Sequence, residues 1–577
     1  MSPRRLWVVV LVLLAGGATV VGRALQVSVL EGERWRDRAE GQHQQRLEVP
    51  GPRGTIRSAD GYVLATSLDR VAVQADTKLL DDPELFARAA APILGLDGGE
   101  LADRLRNGPR TVWLAKRVDP AAAEAVRELA PTAVALVPDY ARVYPLGSLA
   151  AAVVGFVGHE ELLAVGRAGL EHHYEDSLAA EPRTYLAVND AIQRKVRLER
   201  LEGGRDGYDL ELTLHAQLQA VAERELEEAV AALRADAASA VVLDPRTGAL
   251  LVLASVPSFD PAAPGRVPPE RWRLRPVQDA IEPGSTVKPL VAAAALSAGA
   301  VRRGELFDCS DRGTRIAGFW IRDHVAPGRY TLDEVVAHSA NTGIIEVAER
   351  LAPEHLHRTF TAFGFGSRSG VDFPAEARGL VPGVDGWSAL SRAGFALGQE
   401  LTVTPLQMAL AYAVIANGGW LPEPFVVART SGGEWSVPGG RPYRARVLDP
   451  ALAARLTAML EAVVEQGTGD AARVPGHRVA GKTGTAQRAV NGGFDDEHHV
   501  AWFAGFLPLP EPRLVVVVAL ENPRADFWAS TAAAPVFARI AEAAVRILGV
   551  PPDHEAADDG LRIARASTAA APTGGGA

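Results

Sequence analysis

Apolar positions along the chain follow different periods in successive stretches. An uncharged, mostly apolar run from Leu6 to Gly22 stands between Arg4–Arg5 and Arg23, about the minimum length for a membrane-spanning helix. A polar neck follows, helical or extended, and near Pro50 it turns into short alternating runs broken by Gly and Pro, the pattern of β-strands. From about 80 to 135 the period becomes helical, as in "DPELFARAAAPILG" and "DPAAAEAVRELA", where Asp before Pro supplies a cap and a first turn. "LHAQLQAVAERELEEAVAAL" predicts an amphipathic helix. A second module opens with "ASAVVLDPRTGALLVLAS", two strand-like runs around a turn, continues through apolar helices, and reaches three more strand candidates in "RVAGKTGTA", "HVAWFAGFLPL" and "PRLVVVVAL". A helix from about Thr531 to Leu548 closes it. The later strands adjoin one another through short turns, which predicts an α/β (α+β) fold whose central antiparallel sheet is covered by helices. The division expected is 1–23 cytoplasmic tip and anchor, 24–225 neck and mixed α/β module, 226–550 second module, and 551–577 disordered tail.

Two arginines on the short N-terminal side predict that end in the cytoplasm, with everything after Arg23 outside. No small-x-small cleavage site follows the apolar run, so an uncleaved single anchor is expected rather than a removed signal peptide. The 577 residues are 47% hydrophobic and 23% charged, a globular composition with ample core. A net charge of -10 without basic blocks excludes an electrostatic footprint for nucleic acid. The single cysteine, Cys309, excludes a disulfide framework and reads as a small buried hydrophobe. His172–His173, His498–His499 and "EHLH" at Glu354 lack metal-ligand spacing, so no metal is expected. "GFGSRSG" has the wrong spacing for a dinucleotide loop, and no cofactor is expected.

The positive charge is carried almost wholly by arginine: of 60 Lys and Arg, only Lys78, Lys116, Lys195, Lys288 and Lys482 are lysine. Two of these five fall in motifs where a lysine has chemistry that arginine lacks, because a lysine can release its proton and a guanidinium cannot. In "EPGSTVKPL", Ser285 sits at the start of an apolar helix with Lys288 one turn on, on the same face. A desolvated lysine can take a serine's proton; a helix cap with an incidental lysine is the alternative. In "HSANTG", Ser339 and Asn341 stand two apart in a loop, able to relay a proton and to orient an amide, or simply to cap a helix. In "GKTGT", alternation puts Lys482 and Gly484 on one strand face and Thr483 and Thr485 on the other. That lysine with nearby hydroxyls suits a carboxylate, and the glycine lets a ligand approach the backbone.

The set Ser285-x-x-Lys288, Ser339-x-Asn341 and Lys482-Thr-Gly484 resembles the motifs of penicillin-binding proteins and class A β-lactamases. "RGTIRSADGYVLATS", "RVYPLGSLAAAVVGFVG", "AGLEHHYEDSL" and "GFALGQELTVTPLQMALAYAVIANGG" extend the likeness to class B penicillin-binding proteins, and "EPGSTVKPL" with the single anchor most resembles the FtsI-like septal branch. The resemblance implies a transpeptidase domain after a dimerisation-type pedestal, and a D,D-transpeptidase that cross-links peptidoglycan stem peptides of lipid-linked precursor strands. It implies inhibition by β-lactams and partnership with an FtsW-type glycosyltransferase and other division proteins. By position, Ser285 is acylated, Lys288 is its base, Ser339 protonates the leaving D-alanine, and Asn341 holds the peptide amide. Lys482, Thr483 and Thr485 bind the terminal carboxylate, with Gly484 between them. The N–H groups of Ser285 and Thr485 form the oxyanion hole. His215, where an acidic residue is common, and Trp502 depart from the pattern. Elongation-type transpeptidases, hydrolases of the same fold (D,D-carboxypeptidase or β-lactamase) and a non-catalytic division scaffold are the competing readings. Fast deacylation would mark the hydrolase, and failure to bind penicillin covalently would mark the scaffold.

Overall fold

A computed structural model describes residues 3–30, 44–49, 51–160, 162–189, 195–309, 313–316, 318–431, 443–490 and 493–553. The disordered tail expected after 551 and the neck from 31 to 43 lie outside these residues, save 551–553. The apolar run forms helix α1 (Pro3–Leu25), and the stretch Leu6–Val29 is long and apolar enough to cross a membrane, with its side chains unburied.

The first module is a sheet with helices on one side. Strands β1 (Ile56–Arg57) and β2 (Val63–Asp76) pair antiparallel. Helices α2 (Pro83–Leu94) and α3 (Gly98–Asn107), strand β3 (Thr111–Val118), helix α4 (Pro120–Leu129) and strand β4 (Val134–Val143) follow. Both Asp-Pro signatures act as read: Asp82 accepts from Glu84 and Leu85 N–H at 3.0 Å, and Asp119 from Ala121 N–H at 3.0 Å. The long β2 pairs with β1, β3 and β4, and Phe86, Ala90, Leu101, Leu105 and Val126 fill the core between sheet and helices. Strand β5 (Leu210–Leu212) adds to β1 in parallel.

Helix α5 (Ala216–Leu233) leads into β6 (Ala237–Leu243) and β7 (Leu250–Val256), an antiparallel pair around the predicted turn. The helical part of the second module contains α6 (Lys288–Ser297), α7 (Leu332–Ala337), α8 (Asn341–Glu349) and α9 (Pro405–Ala416). Strand β8 (Val427–Thr430) leaves this module to pair with β5 at the edge of the first module's sheet. Helix α10 (Pro450–Glu465) precedes β9 (Ala480–Val490), β10 (Gly493–Leu507) and β11 (Leu514–Glu521), and α11 (Ala529–Ala532) and α12 (Ala534–Ile547) end it. The five strands run in the order β7-β6-β11-β10-β9, each antiparallel to its neighbour. Alternating residues of β6, β10 and β11 divide between two cores. Val241, Trp502 and Val517 face the side of α6 and α9, and Val242, Phe503 and Val518 face α5 and α12. Every residue of α9 is buried, Gln407 among them, its amide donating to Ser367 O at 2.7 Å and Arg378 O at 2.9 Å.

A division at 225 would cut α5, which packs on β7 and α12 and so belongs to the second module's core. The helix start explains His215. Its N-cap position is His215, whose side chain makes no capping bond. Instead Asp60, from the first module, accepts from Ala216 N–H at 2.8 Å and Gln217 N–H at 3.2 Å, supplying the cap that a local acidic residue would. His215 Nδ1 lies 3.1 Å from Asp60 Oδ2 without forming a hydrogen bond to it.

Candidate active site

Between Glu282 and Ala295 the only residue that is not buried is Ser285. It stands in a tight 3₁₀ turn, Gly284–Val287, that runs straight into α6. Gly284 has φ +55°, and a Cβ there would come within 3.1 Å of Thr485 O and 3.2 Å of Ala486 Cβ, so only glycine fits both the conformation and the space. The turn is held from behind: Trp502 Nε1 donates to Glu282 O at 2.9 Å and Tyr412 hydroxyl to Thr286 O at 2.9 Å. Trp502 is fully buried behind the turn, in register with Gly484 across the sheet. Its departure from the family pattern therefore bears on how the serine turn is supported. Ser285 Oγ makes no hydrogen bond to any described residue.

Lys288, in the first turn of α6, is fully buried. Its Nζ donates to Ser339 O at 2.6 Å, Ser339 Oγ at 3.2 Å and Asn341 Oδ1 at 2.7 Å, which matches the three donors of an ammonium. Burial lowers its pKa to about 7, against the opposing pull of Asp323 and a smaller one from Cys309. The amine is thus divided between charged and neutral near neutrality, and the neutral form has a lone pair for a hydroxyl proton. Ser339 ends the α7 segment with φ +60°, a left-handed conformation that costs a serine of order 1 kcal/mol. It turns both its carbonyl and its hydroxyl onto Lys288. The structure thus joins Lys288, Ser339 and Asn341 directly, and Ser285 to them through the helix turn and not by a hydrogen bond.

Lys482 is also fully buried. Its Nζ donates to Thr483 O at 3.1 Å and to Thr483 Oγ1 at 3.4 Å, and Thr483 Oγ1 lies 2.6 Å from Thr468 Oγ1. Burial and then the charge of Lys288 hold its pKa well below the usual lysine range. Among the described residues no carboxylate pairs with either lysine, so an incoming anion would meet two buried amines without a counter-charge in contact. Gly484 corrects one expectation. What comes close to it is the serine turn itself, since a Cβ would sit 2.7 Å from Pro283 O and 2.7 Å from Thr286 Cγ2. Thr485 Oγ1 accepts from Ala529 N–H at 3.1 Å at the start of α11, leaving its own O–H as a donor.

Three supports were not visible in the sequence: Asp323, Thr468 and Tyr412. Each acts from a segment remote in the chain, and none carries a local motif. Cys309 is buried, as read. Of the histidine pairs, His499 stacks on Phe527 at 4.2 Å. Among the described residues no three His, Cys, Asp or Glu side chains group as metal ligands.

A serine that reaches solvent, a buried lysine of lowered pKa on the next turn and a second buried lysine on the bordering strand lie together on an antiparallel sheet between helical layers. Residues 238–542 match the penicillin binding protein transpeptidase domain and residues 48–212 the penicillin-binding protein dimerisation domain. The chain belongs to the class B penicillin-binding proteins. It is 31% identical to the probable peptidoglycan D,D-transpeptidase PenA of Neisseria gonorrhoeae, over 93% of this chain and 91% of that protein. It is likewise 31% identical to the peptidoglycan D,D-transpeptidase FtsI of Escherichia coli K12, over 88% of this chain and 85% of that protein. The crystal structure of penicillin binding protein 3 from Mycobacterium tuberculosis, complexed with aztreonam, superposes with a TM-score of 0.68 at 28% identity, covering 88% of this chain and 98% of that one.

Proposed function

We propose that this chain is a peptidoglycan D,D-transpeptidase that cross-links stem peptides through an acyl-serine on Ser285. The observation that carries the reading is the buried Lys288 amine, bonded to Ser339 and Asn341 one helical turn from a solvent-reaching serine. In this reading neutral Lys288 takes the Ser285 proton as Oγ attacks the penultimate D-alanine carbonyl. The N–H groups of Ser285 and Thr485 receive the oxyanion. Ser339, bonded to Lys288, returns a proton to the leaving D-alanine, and Asn341 holds the peptide amide. The substrate carboxylate is received by Lys482 with Thr483 and Thr485, whose hydroxyls flank the strand. The acyl group then passes to an amine of a second stem peptide. β-Lactams would acylate the same serine and block it.

The apolar α1 helix serves in this reading as a single anchor with Arg4 and Arg5 in the cytoplasm and the catalytic module in the periplasm or its equivalent. Septal cell-wall synthesis, beside an FtsW-type glycosyltransferase and other division proteins, is the role favoured by the likeness to the FtsI branch; an elongation role is the alternative. Labelling the full-length chain with a fluorescent penicillin and mapping the adduct tests the reading. The adduct is expected on Ser285, with none formed by Ser285→Ala; an adduct on another serine overturns it. Depletion in cells separates the two roles, filamentation following loss of a septal enzyme and rounding following loss of an elongation enzyme.

A further inference from the structure

Asn341 begins α8, and the residue before it, Ala340, offers no side chain to cap that helix. The cap comes from a loop far back in the chain. Asp323 Oδ1 accepts the N–H of Asn341 and, at 3.1 Å, that of Thr342, while the Thr342 hydroxyl donates to Asp323 Oδ2. The neighbouring Arg322 carbonyl accepts from Asn341 Nδ2 at 3.0 Å. With the amide nitrogen held there, Asn341 can present only its oxygen to Lys288, which it does at 2.7 Å. The next residue, His324, meets the ring of Trp528 edge-on at 5.5 Å. Trp528 directly precedes α11, whose first N–H binds Thr485. The segment 322–324 therefore reaches from the Asn341 loop to the strand wall.

We propose that Asp323 is a positioning residue for acyl transfer: it holds Asn341, and through it the Lys288 amine, in register with Ser285. This rests on the reading of Lys288 as the base. The assignment has an electrostatic side as well as a geometric one. The titratable groups facing Lys288 are Asp323, Cys309 on the strand Leu306–Cys309, and Lys482 on β9. Burial pushes the Cys309 thiol up, away from the thiolate, and among the described residues Asp323 is the carboxylate that favours the ammonium. Removing its charge lowers the Lys288 pKa further and makes the neutral base available at lower pH.

Two substitutions in the full-length chain, purified in detergent, test this through the rate of acylation by a fluorescent penicillin between pH 5 and 9. The parent rate is expected to rise through about pH 7, where burial places Lys288. Asp323→Asn keeps an acceptor for the two helix N–H groups and loses the charge. Its acid limb is expected to move down by roughly half to one pH unit, less than the 1–3 of a directly paired charge, with the pH 8 rate within about tenfold of the parent, as expected where the helix cap is kept. Asp323→Ala loses both, and its rate is expected to fall by about 10²-fold, the cost of a small misplacement at the reacting centre. A helix cap with no role in the reaction would leave the limb where it is. A parent limb unmoved in Asp323→Asn overturns the inference alone, whatever the alanine variant does. A parent with no limb in this range overturns the base assignment and the inference together.

Discussion

Lysine at position 288 is explained by what its neighbours require. Three oxygens converge on one fully buried nitrogen, and an arginine there could satisfy them with its donors but could never accept a proton. Lys288→Arg is expected to lower the penicillin acylation rate by about 10²–10⁴-fold, the usual worth of a general base. The bulk of the guanidinium should lower the melting temperature modestly. A rate within a few-fold of the parent would remove Lys288 as the base. Gly484→Ala is a second test at this scale. Its Cβ would meet the Pro283 carbonyl and Thr286 at 2.7 Å, so the serine turn must shift. Overpacking of this kind costs about 1–3 kcal/mol, and a thermal melt should show that loss together with slower acylation.

Helix α5 shows how one element is completed by another. Its cap is Asp60 of the first module, and losing an N-cap costs about 0.5–2 kcal/mol. Asp60→Ala should lower the melting temperature accordingly, and adding His215→Asp in the same chain should restore part of it by capping locally. No recovery would show that Asp60 matters through another contact. The same helix carries Glu223, which accepts from Ala150 N–H at 2.9 Å and Gln219 Nε2 at 2.8 Å. Burial raises its carboxyl pKa to about 7, although those two bonds pull it down. A carboxyl whose folded pKa lies above its unfolded value supports the fold fully below the unfolded pKa. That support is lost as pH rises through the folded one. Glu223→Gln keeps the acceptor oxygen and removes the charge. It should gain on the parent in melting temperature between pH 5 and pH 8, a gap of the order of a few kcal/mol. A constant gap would show that Glu223 does not titrate in this range.

Taken whole, the two modules are interlocked. Strand β8 of the second joins the sheet of the first through β5. Asp372 accepts the Tyr174 hydroxyl at 2.9 Å and the N–H groups of Val426 and Val427 at 2.6 and 2.9 Å. Arg53, buried, reaches Glu171 and Glu175 within the first module. The apolar stretch Leu6–Val29 is unburied and adds nothing to that core. Deleting residues 1–25 should therefore release the chain from the membrane fraction with penicillin labelling retained. Retention on membranes would point to a second membrane-binding surface.

The sequence by itself determined the features that depend on near neighbours: the apolar run of α1, the Asp-Pro caps of α2 and α4, the apolar strand runs of the second sheet, and Ser285 with Lys288 one turn on at the start of an apolar helix. Each follows from periodicity or from a side chain bonding within a few residues. Tertiary structure decided what depends on which remote segment arrives. His215 gave no sign that Asp60 would cap α5, nor did Ala340 that Asp323 would cap α8. Gly484 looked like room for a ligand and is room for the serine turn. Lys288 and Lys482 have lowered pKa values because the folded chain buries both, and neither the burial nor the push of Lys288 on Lys482 is written in the residues beside them.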